Sequence, residues 1–219
     1  MRKLIYGLII LSLASLSTAC KEVRKEYFPN GRVKSETEYR FGKENGKMVF
    51  FDEGYNRPTL EVTMKKGKKN GKLYRYFFNG TIESESYFVN DIQEGVETVY
   101  DLTGFKAVET HYENGKKNGP YHSWHEKDIL KEQGAFKDDM FDGEWLYYDT
   151  RGFLVGEGKF DRGTGEQHTY DSKGNLVKIT NYANNLKNGP EIEFTPSGDT
   201  LRVIIFKDDR IEKMEQFKP

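Results

Sequence analysis

His122 and His125, in YHSWHE (121–126), are the residues whose type and spacing most invite a metal or acid–base reading. Within a strand, however, residues three apart point to opposite faces, so the two could not share one ion. His168 is the next candidate partner for His122, but it lies in a separate unit of the sequence. The acidic pairs Asp138-Asp139 and Asp208-Asp209 fall where turns are expected, and aspartate favours turns without any catalytic reason. The glycine-dense GFLVGEGKFDRGTG (152–165) hints at a phosphate loop, yet Phe153 stands where that pattern needs glycine, and no serine or threonine follows Lys159. Asn79-Gly80-Thr81 has the form of a glycosylation sequon but reads as a hairpin turn. No Ser/His/Asp set shares a motif, so the reading is non-enzymatic, with no catalytic residues, cofactor or metal site. An envelope enzyme with a histidine–acid site that the sequence does not place is the lesser alternative.

The elements that would position any site come from a repeat. Gly46, Gly71, Gly95, Gly119, Gly143, Gly165 and Gly189 recur at a period of about 24 residues, often closing a phrase such as GKKNG. Five residues after each stands an aromatic: Phe51, Tyr76, Tyr100, Trp124, Tyr148, Tyr170 and Phe194. Nine residues after, a turn glycine recurs at Gly80, Gly104, Gly152, Gly174 and Gly198, while the unit containing EKDIL (126–130) lacks it. A later large apolar residue follows in each unit: Tyr39, Met64, Tyr87, Tyr112, Phe136, Phe160, Tyr182 and Phe206. Alternating runs on either side of Asn79-Gly80 predict a β-hairpin with a type I′ turn, and GKKNG then predicts the return turn to the next hairpin. The fold expected is all-β: an elongated single-layer antiparallel meander of about eight hairpin repeats and about sixteen strands. Alternation puts the aromatic column five after the glycine on the same side as Val49, Tyr74, Thr98, His122, Leu146, His168 and Ile192, predicting an inner stack through Tyr76, Tyr100, Trp124 and Tyr148. The outer face, two and four residues after the glycine, then carries Tyr121, Trp145 and Tyr147, a cluster of exposed aromatics fit for a protein or glycan partner.

Ahead of the repeats, Arg2 and Lys3 precede an apolar run from Leu4 to Leu16 and then small residues up to Cys20. That run is shorter than the roughly 20 residues of a helical membrane span, so residues 1–19 read as a secretory signal peptide. Cys20 is the sole cysteine, which excludes an intrachain disulfide. Leu16-Ser17-Thr18-Ala19-Cys20 resembles a bacterial lipobox, with the leucine four places ahead of the cysteine. The resemblance implies lipidation at Cys20, a tether over 20–25, a repeat domain over 26–219, and attachment to a bacterial envelope, with the outer membrane and its exposed surface the expected place. Loss of Arg2 and Lys3 leaves 32 basic against 35 acidic residues, a balance without the basic excess that nucleic-acid binding calls for.

Phe141-Asp142-Gly143-Glu144-Trp145, KKNGKLYRYFFNG (68–80) and LKNGPEIEFTPSG (186–198) resemble MORN-type repeats in the bacterial variant often described as antitoxin-like, over about residues 26 to 206. The resemblance implies an elongated array serving as a scaffold or binding surface. The His-Gly step of many eukaryotic members is absent, so phosphoinositide binding does not carry over. An immunity-type protein that binds a cognate toxin is the alternative within the same resemblance.

Overall fold

The computed structural model describes residues 21–126 and 128–217. Signal peptide and Cys20 lie outside these residues. Seventeen strands follow one another: β1 (Glu22–Tyr27), β2 (Val33–Arg40), β3 (Lys43–Phe51), β4 (Pro58–Lys65), β5 (Lys68–Tyr76), β6 (Ile82–Val89), β7 (Ile92–Tyr100), β8 (Lys106–Glu113), β9 (Lys116–Trp124), β10 (Leu130–Lys137), β11 (Met140–Tyr148), β12 (Leu154–Asp161), β13 (Thr164–Tyr170), β14 (Leu176–Ala183), β15 (Leu186–Phe194), β16 (Thr200–Lys207) and β17 (Arg210–Gln216). Each pairs antiparallel with the next, giving one open meander with no helix among the described residues. β1 already includes residues 22–25, so the stretch read as a tether is sheet almost from its start.

The two ends of the hairpins close differently, and opposite to the expectation. Loops such as 77–81 bond Gly80 N–H to Phe77 O (2.9 Å) and Phe77 N–H to Thr81 O (2.9 Å), and Gly80 alone takes positive φ (+88°). That is a type I turn with a glycine bulge; a type I′ turn needs positive φ at both central residues, which Asn79 does not adopt. In several of these loops an aspartate replaces Phe77 and caps the turn, as where Asp149 Oδ1 accepts from Arg151 N–H (2.9 Å) and Phe153 N–H (3.0 Å). The unit lacking the turn glycine closes with Asp128 in the left-handed region (φ 68°) and His125 N–H bonded to Ile129 O (2.8 Å).

Type I′ geometry appears at the return turns instead, where both residues have positive φ: Lys66-Gly67, Asn90-Asp91, Asp138-Asp139, Asn184-Asn185 and Asp208-Asp209. The phrase-closing glycine is not in that turn. Gly71 sits within β5 (φ +124°), beside a register shift in the facing strand between Val62 and Met64, and a side chain there would come within 2.9 Å of Thr63. The lysines of the phrase have their own task. Lys69 N–H donates to Asp91 Oδ1 (2.7 Å) while Asp91 N–H donates to Lys69 O (2.9 Å), and the same reciprocal pair joins Lys117 to Asp139 and Lys187 to Asp209. The ammonium groups of Lys69, Lys117 and Lys187 lie 4.3, 4.9 and 4.8 Å from the ring centres of Phe88, Phe136 and Phe206. The repeated lysine phrase thus stitches each return turn to the one before. Asp139→Ala should cost about 1–2 kcal/mol, combining a lost hydrogen bond with positive φ at a non-glycine, and Asp139→Gly should recover the backbone share. Urea unfolding of both variants checks the ordering; equal losses would remove the conformational part.

The core lies on the face that was expected to be outer. Register runs Met48↔Val62, Val62↔Leu73 and Leu73↔Ser86, so the position two after each glycine faces the core. Val62, Met64, Leu73 and Phe88 form one cluster there with Met48 and Leu60, and Phe136, Trp145 and Phe160 form another. Phe88, not Tyr87, is the inward apolar residue of its unit; Tyr87 is exposed. Tyr76, Tyr100, Trp124 and Tyr148 are half-buried on the opposite face, beside register shifts such as that between Arg75 and Tyr76. Their constancy follows from geometry at the strand ends. Tyr100 and Tyr170 hydroxyls donate to Glu85 (3.1 Å) and Glu157 (2.6 Å) across the strand pair, which keeps this face polar.

Candidate functional site

Tyr121, Trp145 and Tyr147 do come together, on the core face where β9, β10 and β11 meet. They are not a freely exposed platform. Trp145 is only 2% exposed, the most buried large side chain described, because its neighbours across the ladder are glycines. Trp145 faces Gly158 of β12, Tyr147 faces Gly156, and Tyr121 faces Gly134 of β10. The indole lies down over β10: a Cβ added at Gly134 would meet Trp145 Cδ2 at 2.2 Å. Its N–H donates to Ala135 O at 3.1 Å, so the buried donor is satisfied. Phe141 and Phe136 pack edge-on against the indole, with ring centres at 4.7 and 5.2 Å, while Tyr121 and Tyr147 flank it at 5.4 and 6.4 Å with small tilts.

Around this floor runs an open groove of about 500 Å³, bordered also by Lys117, Glu132, Phe160, Gln167, Tyr182 and Asn185. Part of its polar border is engaged within the chain. Tyr182 donates to Gln167 Oε1 (3.1 Å). Asn185 bridges two return turns, donating to Asp139 O (2.9 Å) and accepting from Phe141 N–H (2.8 Å). Burial raises the phenol pKa of Tyr121, Tyr147 and Tyr182, so all three are neutral at physiological pH. The groove therefore offers aromatic ring area bordered by the Tyr121 and Tyr147 hydroxyls and the Lys117 ammonium.

Sequence reasoning missed Phe136, Phe141, Phe160 and Tyr182 as site walls. Gly152 is a loop glycine and Gly165 a register glycine, but Gly156 and Gly158 are off the period and make room for the rings of Tyr147 and Phe160. Two glycines alternating within a strand, beside a unit rich in tryptophan and tyrosine, was the available signal.

The histidines are dispersed over the sheet. His125 Nε2 lies 2.8 Å from Tyr148 O, His122 stacks on Trp124 with ring centres 5.9 Å apart, and His168 lies 3.5 Å from Glu166. His122 and His168 share the polar face but stand four strands apart, about 19 Å. Among the described residues no cluster of three His, Cys, Asp or Glu side chains is placed to hold a metal ion. A smaller groove of about 320 Å³ on the polar face is lined by Leu146, Glu157 and His168 with Glu144, Lys159 and Glu166.

One buried carboxylate continues the core column: Glu191, 5% exposed, accepts from Thr180 Oγ1 (3.0 Å) and pairs with Lys187 Nζ (2.6 Å). Burial alone would raise its pKa, but the Lys187 and Thr180 hydrogen bonds outweigh burial and hold it below its ordinary 4.5. A carboxylate depressed on folding contributes stability that is full above its unfolded value and is lost as pH falls through the folded one. Glu191→Gln should therefore lower stability at neutral pH and flatten its decline below about pH 4.5, as thermal melts at stepped pH will show. An unchanged acid limb would place the sensitivity elsewhere.

No curated protein matches the chain in sequence. Among solved structures, 86% of this chain is similar to 14% of the chain in "Crystal Structure of TcdB2-TccC3-TEV", at 12% identity and a TM-score of 0.21. Similarly, 84% of it matches 10% of the chain in "Crystal Structure of TcdB2-TccC3-Cdc42", at 13% identity and a TM-score of 0.19. Residues 23–40 and 69–90 match the model of the MORN repeat variant. Those two segments are therefore similar to the MORN repeat variant, and with the meander of hairpin units the likeness suggests a repeat-based binding or scaffolding role.

Proposed function

We propose that this chain is a non-enzymatic binding array of a bacterial cell envelope, held to the outer membrane by lipid on Cys20, with the aromatic groove of β9 to β14 as its partner surface. The groove carries the reading: it gathers seven aromatic side chains on one face of a thin sheet. Its aromatic floor suits the apolar side chains of a protein partner. The lipid anchor rests on the apolar run ending in Leu16-Ser17-Thr18-Ala19-Cys20.

A photo-cross-linking residue placed at Tyr147, compared with one at Glu109 on the polar face, tests the groove in intact cells. A discrete protein adduct from position 147 alone is the expected result. Adducts from both positions, no adduct, or an adduct removed by glycan-degrading enzymes and resistant to protease would overturn it. Cys20→Ser should shift the protein from the membrane to the soluble fraction while leaving its melting temperature unchanged, since acylation contributes roughly 0.8 kcal/mol per buried methylene. Continued membrane partition of that variant would remove the lipid anchor and leave the groove reading standing.

A further inference from the structure

We infer that β17 is a contact through which two copies of this chain pair edge to edge, continuing one sheet into the other. Among the described residues β17 is bonded on one side only, to β16, and all seven of its residues are exposed. Ile211 and Met214 are 60% and 56% exposed. A bulge falls between the pairs Phe206↔Ile211 and Ile205↔Lys213, after which the strand is regular. Met214 faces Ile204, so it continues the core column, whereas Lys213 and Glu215 face Ile205 and Val203 on the other side of the sheet.

Two copies joined by a twofold axis normal to the sheet pair their β17 strands antiparallel, and each face continues as the same face. Alternation then allows a centre on any residue of the regular stretch Lys213–Gln216, but Gln216 is the last residue of the strand and leaves no strand residue beyond it to pair. Centring on Lys213 sets lysine against lysine; centring on Glu215 sets glutamate against glutamate. Centring on Met214 sets Met214 against its counterpart and places Lys213 opposite Glu215 twice. Like charges directly opposite destabilise a strand pair and opposite charges stabilise it, so charge selects the Met214 register. Within one copy Lys213 and Glu215 are already paired, and the joined edge would turn the two pairs into an alternating ring of four charges. The apolar column would run Ile204, Met214, Met214, Ile204 without interruption. Charged residues on an edge strand commonly block such pairing. Here their order is self-complementary in one register.

The test uses the full chain carrying Cys20→Ser, which leaves no other thiol. Met214→Cys should yield a reducible dimer under mild oxidation, because directly opposed positions have Cβ atoms about 4.5–5.5 Å apart. Lys213→Cys and Glu215→Cys should yield little, since each then faces a different residue. Separately, Lys213→Glu should weaken self-association about tenfold in sedimentation equilibrium, as two symmetric pairs turn repulsive, and Lys213→Glu with Glu215→Lys should restore it. A monomer at every concentration, equal cross-linking from all three positions, or failure of the double exchange to restore association would overturn the inference.

Discussion

Trp145→Ala should lower the free energy of unfolding by about 3–5 kcal/mol, the usual loss for a large aromatic removed from a core. Its indole contacts Phe136, Phe141, Tyr121 and Tyr147 and is 2% exposed, so little can collapse into the space it leaves. Trp124→Ala should cost less than about 2 kcal/mol, because that ring is half-buried on the polar face and stacks on His122 alone among the rings. Urea unfolding followed by far-UV circular dichroism measures both. Because each unit of a repeat array rests mainly on its neighbours, hydrogen exchange in the Trp145 variant should lose protection first from β9 to β13 and last at the ends. A greater loss at Trp124 than at Trp145 would contradict the face assignment of the structure.

Gly134→Ala should cost about 3 kcal/mol, at the upper end of overpacking penalties, since the added methyl group would overlap the indole at 2.2 Å. The neighbour is a rigid ring hemmed in by four others, so it cannot yield as a flexible side chain would. In a Trp145→Ala background the same substitution should be nearly neutral. That non-additivity is the decisive readout, because it separates steric conflict with the indole from any intrinsic dislike of β10 for alanine. Additive losses would mean that Gly134 serves the backbone instead.

The hairpin period, the strand count to within one, and the absence of helix were legible because they depend on glycine and aromatic positions fixed by local geometry. The faces were not. The position five after each glycine is aromatic in every unit, yet it is half-buried at a strand end, where the Tyr100 and Tyr170 hydroxyls donate to glutamates. Two after each glycine stand Met48, Leu73, Glu97, Tyr121, Trp145, Gln167 and Glu191, a chemically mixed column that nonetheless lines the core face. Regularity marked constant backbone geometry, whereas burial varied along the array with whatever each neighbour could accommodate. The groove was half legible for the same reason. Tyr121, Trp145 and Tyr147 were grouped correctly as a cluster, but Gly134, Gly156 and Gly158, which let the rings lie flat, differ from the repeat and had no period to announce them.

The return-turn stitching makes the two long margins of the sheet mechanically unequal. Main-chain bonds join successive turns along one margin at seven steps, from Gly67 to Glu44 through Asp209 to Lys187. Along the loop margin the ties between successive units are side-chain contacts to main-chain oxygens, from Arg32 to Glu53, Arg57 to Phe78, Asn79 to Leu102 and His125 to Tyr148, with none described between later loops. The ribbon therefore has one inextensible hem and one slack hem, slackest toward the C-terminal side. Bending that spreads neighbouring loops is cheap, while bending that spreads neighbouring turns must break backbone bonds. Any widening of the groove would thus fan the loops of β11 to β16, with the stitched margin acting as the spine of an opening fan.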